Sequence, residues 1–113
     1  MSRPQELQLE LIRLASFNDF DGGRAVDDLL RSRELWTGVL MDAAGLVKLR
    51  DIGAGVWNVD TLYVLSSGTD DRALETLVRS WGPDSIGWIE GEAADRELGW
   101  SLSGLRVLSA WWD

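Results

Sequence analysis

Glu90, Glu92, Asp95 and Glu97 fall within one short stretch and are the first residues whose types and spacing could do chemistry. Two carboxylates can divide acid and base work in a hydrolysis, or hold a magnesium ion. The stretch follows a predicted strand, and ligand sites in open α/β sheets lie beyond the carboxyl ends of parallel strands. Acidic residues also favour the first turn of any surface helix, where they meet the positive end of its dipole. Glu90 and Glu92 are therefore candidate binding residues only. No lysine, histidine or clear nucleophile stands near them in sequence, and no catalytic residue is assigned.

Two other stretches suggest familiar sites and do not fit them. Asn18-Asp19-Phe20-Asp21-Gly22-Gly23 precedes a predicted helix, as a calcium loop precedes its second helix. Aligned on Gly22, however, the first ligand position falls on Phe17; aligned on Gly23, ligand positions fall on Phe20 and Gly22. A helix-capping role for Asp19 or Asp21 is the simpler expectation. Gly53-Ala54-Gly55 lacks the third glycine of a dinucleotide fingerprint and joins two predicted strands instead of a strand and a helix. No metal and no cofactor are expected.

The chain contains no histidine and no cysteine. Catalytic triads built on histidine, thiol nucleophiles, redox dithiols and thiolate zinc sites are thereby excluded. The formal net charge is −8, from 19 acidic against 11 basic residues. Phosphate neutralisation supplies most of the affinity of a nucleic-acid binder, so this balance argues against DNA or RNA and toward a basic protein partner. Met1 to Leu14 is interrupted by Glu6, Glu10 and Arg13 and does not read as a signal peptide. No stretch approaches the roughly 20 apolar residues that span a bilayer. A cytoplasmic protein without membrane contact is expected.

Seven tryptophans punctuate the sequence. Trp81 belongs to a predicted helix stripe, and Trp36, Trp57 and Trp88 can line a core from strands. Trp111 and Trp112 are adjacent, and neighbours in a strand point to opposite faces. Either both sheet faces are covered, or one indole is exposed and can anchor a partner.

These residues need elements to hold them. A helix is expected from about Pro4 to Ser16, with Ser2 and Gln5 as a capping box and Leu7, Leu11, Leu14 and Ala15 as the buried stripe. A second helix buries Ala25, Val26, Leu29 and Leu30. Strands are expected at Leu35–Met41, Leu46–Ile52 and Val56–Leu65, forming an antiparallel meander. In its register Arg50 faces Asn58 and Lys48 faces Asp60, while Leu40, Val47, Leu49, Val59, Tyr63 and Leu65 share the apolar face. The Lys48, Arg50 and Asp60 cluster is either a solvated sheet face or a patch that binds an anion or a partner.

Thr69 or Asp70 should cap a third helix with Ala73, Leu74, Leu77, Val78 and Trp81 inside, stopped by Gly82-Pro83. A strand at Ser85–Ile89 follows, completing a crossover unit with parallel pairing. A short helical turn at Glu92–Leu98 and a strand at Leu105–Trp112 complete the order.

One domain over residues 1–113 is expected, of α+β class. Its sheet should be mixed but mainly antiparallel, with about five strands and helices on at least one face. The favoured function is a non-enzymatic protein-binding module of inhibitor, immunity or adaptor type, engaging a basic partner or a second copy of itself. The alternatives are a small-molecule-binding or minor enzymatic domain and a structural subunit of an assembly. Candidate binding residues are Trp111, Trp112, Lys48, Arg50, Asp60, Glu90 and Glu92.

Overall fold

The computed structural model describes residues 1–17, 19–42, 49–55, 57, 59–97 and 104–113. It is an α+β fold. Helix α1 (Arg3–Leu14) leads to a two-residue hairpin, β1 (Ser16–Phe17) and β2 (Phe20–Asp21), and then to helix α2 (Gly22–Arg31). A 3-10 turn at Arg33–Leu35 precedes strand β3 (Trp36–Asp42). Helix α3 (Leu49–Gly53), strand β4 (Thr61–Ser66), helix α4 (Asp71–Arg79), strand β5 (Ser85–Ile89), helix α5 (Gly91–Glu97) and strand β6 (Val107–Trp111) follow.

Local chemistry accounts for the helix starts. Ser2 Oγ accepts from the Gln5 amide, Asp21 Oδ1 from the Arg24 amide and Asp70 Oδ1 from the Ala73 amide. Each satisfies a donor that the first helical turn leaves without an intrahelical partner. At the end of α4 the chain reverses through Gly82 at φ 75°, a conformation that costs glycine little.

The main sheet has the order β3-β4-β6-β5, and every neighbouring pair is antiparallel. The expected parallel pairing does not occur. β4 and β5 flank β6, which inserts between them and runs antiparallel to both. β6 is thus a central strand. Both its sides are already paired, so it offers no free edge to a second copy of the chain.

The meander is also corrected. β3 pairs directly with β4, from Asp42↔Thr61 to Trp36↔Ser66 with a bulge between Trp36 and Gly38. Residues 49–52, expected in a middle strand, lie in α3, so Arg50 stands on a helix with no cross-strand partner. Lys48, Val47 and Asn58 lie outside the described residues. Leu49 is 92% exposed, so the alternation that suggested a strand does not reflect burial against a sheet.

One core cluster lies between the sheet and helices α1, α2 and α4. The strands contribute Val39 and Met41, Leu62 and Val64, and Leu108 and Ala110. The helices contribute Leu9 and Ile12, then Ala25, Val26 and Leu29, then Leu74 and Val78. Two expectations about faces fail here. The buried stripe of α1 is Leu9, Ile12 and the flanking Ala15, while Leu7 and Leu14 are exposed. In β4 the core takes Leu62 and Val64; Leu40, Tyr63 and Leu65 point the other way.

Tryptophan supplies much of the core volume. Trp36 and Trp112 are buried, Trp81 nearly so, and Trp57 and Trp88 pack against the cluster from partly buried positions. Trp36 donates to the Leu29 carbonyl, and Trp112 to the Trp81 carbonyl while meeting Phe20 edge to face at 4.5 Å. Buried indoles need such partners for their N–H groups. Trp100 lies outside the described residues.

Candidate interaction surface

The adjacent tryptophans separate by strand parity. Trp112 is fully buried on the core side, and Trp111 is 39% exposed on the opposite face. Three cross-strand rows make up that second face. Asp42, Thr61, Trp111 and Ser85 form one end row; Leu40, Tyr63, Ser109 and Gly87 the middle; Gly38, Leu65, Val107 and Ile89 the other end. None of these residues belongs to the core cluster. A shallow groove of about 250 Å³ runs over Leu40, Tyr63, Leu65 and Val107. The rows contain an acid, Asp42, and no basic residue.

Asp60 meets Trp111. The Trp111 indole donates to Asp60 Oδ2 at 3.2 Å, and the Thr61 hydroxyl holds Oδ1 at 2.8 Å. The backbone beside them is tied as well, by the Trp112 amide donating to the Asp60 carbonyl. A half-exposed indole is therefore fixed in orientation by a carboxylate at the end of the two central strands. Asp60 and Trp111 were separate candidates in the sequence; the antiparallel β4–β6 pairing brings them together.

The remaining candidates do not join them. Glu90 forms an ion pair with Arg106, and Glu92 stands 3.9 Å from Arg96 on its own helix. Each carboxylate faces a different arginine, Arg106 being shared with Asp71, and the two do not converge on a shared site. Arg50 pairs with Asp51 on α3. Among the described residues no group of acids has the arrangement of a metal site. No described helix is long and apolar enough to cross a membrane.

Sequence reading missed one polar network. Arg106 lies 4.0 Å over the Trp88 ring and donates to Asp71, which also accepts from the Ser66 hydroxyl. Trp88 in turn donates to Glu75, and Glu75 accepts from Arg79. The network ties the start of α4 to β4, β5 and the residue before β6. An isolated arginine before an apolar strand gives no hint of it, because its partners are up to 35 residues away.

Asp28 plays the same part on α2, accepting from the Trp81 indole at 2.8 Å. That bond, with Arg31 and Arg24 nearby, holds the Asp28 carboxyl below the usual carboxylate range despite the opposing effect of burial. The Trp88 indole and Arg79 lower the Glu75 carboxyl in the same direction. Both groups bind protons less readily folded than unfolded. Their contribution is complete above the unfolded pKa values and is lost as pH falls through the lowered ones. Stability is expected to fall below about pH 5. In an Asp28→Asn, Glu75→Gln double variant the fall is shallower, so its thermal midpoint converges on the wild type in acid. Parallel curves would remove these carboxylates as the cause.

No protein-family model, curated protein or solved structure matches the chain. The functional reading rests on this surface alone.

Proposed function

We propose that the chain is a non-enzymatic protein-binding module, of inhibitor, immunity or adaptor type, that takes a basic protein on its second sheet face. The observation that carries this reading is exposed Leu40 and half-buried Tyr63 beside exposed Trp111, with acids as the charged groups at the rim. Apolar patches bordered by polar groups mark interaction sites. A rigid, half-exposed tryptophan is a frequent source of binding energy. The chain's overall charge of −8 supplies the long-range attraction for a basic partner and none for nucleic acid.

Affinity capture from native lysate tests this reading with three immobilised chains. Wild type is expected to retain basic proteins. Trp111→Ala is expected to weaken the interaction by about 2 kcal/mol, roughly thirtyfold. Leu7→Ser, which changes an exposed leucine on α1 remote in sequence from the face, leaves it unchanged. Equal retention by wild type and Trp111→Ala, with Leu40→Glu also silent, overturns the assignment.

A further inference from the structure

The two edges of the main sheet are treated differently. In the β4–β6 ladder the Trp112 amide donates to the Asp60 carbonyl and the Ser66 amide to the Arg106 carbonyl. Even-numbered residues of both strands therefore turn their backbone polar groups toward each other. In antiparallel pairs that direction alternates with each residue. On β3 it is Val39 and Met41 that turn outward, and on β5 it is Ile86 and Trp88.

The β3 edge is occupied. Gln5 of α1 accepts from the Val39 amide at 2.9 Å and donates to the Val39 carbonyl at 2.9 Å, and Gln8 accepts from the Met41 amide at 3.1 Å. The glutamine side chains reproduce the bonds that another strand would make. Unpaired edges invite pairing with other chains, and proteins block them with covers, charges or proline. Among the described residues no such device is present at β5. Ser85–Ile89 contains no charge and no proline, Ser85 and Gly87 are exposed, and no described group bonds the outward backbone of Ile86 or Trp88.

The geometry points to β5 as a docking edge for an extended, basic segment of the partner protein, added as a fifth strand. This rests on the reading of the chain as a binder of basic proteins and names where such a partner engages. Charge selects the occupant. Asp84 and Glu90 bracket the strand, and residues 84–96 carry four acidic side chains against Arg96 alone. Arg79 pairs with Glu75 and Arg106 is shared between Asp71 and Glu90, so these two arginines face three carboxylates and the surroundings of β5 stay net acidic. A second copy paired antiparallel about Gly87 would set Asp84 opposite Glu90 twice, and like charges directly opposite destabilise a pair. A basic strand meets the same acids with opposite sign, while main-chain bonds to Ile86 and Trp88 supply the register.

The probe is an end-capped eight-residue peptide of alternating lysine and valine, titrated against the full chain and followed by amide chemical shifts. Shifts are expected at 85–89. A glutamate-valine peptide should bind at least about tenfold more weakly. Ile86→Pro removes an outward N–H without touching the β6 ladder and should weaken binding by a similar factor. Should that variant fail to fold, N-methylated peptides give the same answer on wild type: methylating alternate amides abolishes binding in one frame and spares the other. Absence of saturable binding at about 1 mM overturns the proposal, as does equal tolerance of both methylation frames. Shifts centred on Leu40, Tyr63 and Trp111 also overturn it, yet leave the sheet-face reading standing. A concentration-dependent dimer abolished by Ile86→Pro would assign the edge to a second copy and overturn the basic occupant.

Discussion

Trp112→Ala is expected to lower the unfolding free energy by about 3–5 kcal/mol, the range for removing a large aromatic from a core. Its ring is fully buried and packs edge to face on Phe20, so the cavity opens between the β1–β2 hairpin and the central strand. The Trp81 carbonyl also loses the indole it accepts from. Trp81 itself leans on Asp28, so the substitution disturbs a line running from β6 to α2. The neighbouring Trp111→Ala should cost about 1 kcal/mol or less, since that side chain is largely a surface group. Chemical denaturation of both variants measures the contrast. If the two changes cost the same, the assignment of Trp112 to the core and Trp111 to the surface is wrong.

Gly22→Ala is the second large effect. Gly22 opens α2 against the end of α1, and its amide donates to the Ala15 carbonyl at 2.9 Å. A Cβ built there would stand 1.9 Å from the Ile12 carbonyl oxygen and 2.5 Å from that of Ala15. Both obstacles are backbone, so relief requires the helices to separate, at about 3 kcal/mol or more. Gly23 is the control. A Cβ there meets Asp21 Oδ1 at 3.5 Å, ordinary contact. Gly23→Ala should be neutral or stabilising by up to about 1 kcal/mol, because alanine has the better helix propensity. Thermal melts that rank the two variants in the opposite order would refute the close approach of α1 and α2.

What could be read from the chain divides by range. The starts of α1, α2 and α4 follow from Ser2, Asp21 and Asp70, because a cap acts within a few residues. Half of the expected capping box is realised: Ser2 takes the Gln5 amide, but the Gln5 side chain reaches the sheet edge at Val39 instead of turning back. Parity placed Trp111 and Trp112 on opposite faces. Which face lay inside depended on α1, α2 and α4, and no local pattern states that.

The errors share this origin. Helix α1 offers two apolar stripes at helical spacing, and docking against α2 and β3 selected Leu9 and Ile12 over Leu7 and Leu14. The 46–52 alternation suited a strand, and Lys48 complemented Asp60 in charge, yet β4 pairs with β3 and the described residues 49–53 form a helix. Of the site, Trp111 and Asp60 were legible singly as residue types. Their contact across 51 residues was not. The contrast between the two sheet edges was likewise hidden, since it depends on where α1 comes to rest.

The place of β6 constrains the order in which a nascent chain can complete itself. The paired strands β3 and β4 and the α1–α2 pair are built from residues that leave the ribosome before β6, and domains gain structure as the chain emerges. β5 emerges before the strand that joins it to β4 and must remain without a neighbour in the sheet until β6 arrives. The β4–β6 pairing spans β5 in sequence, and non-local pairing of this kind slows folding. Throughout that interval both sides of Ser85–Ile89 are available, so a chaperone or a premature partner would meet this strand in its most adhesive state.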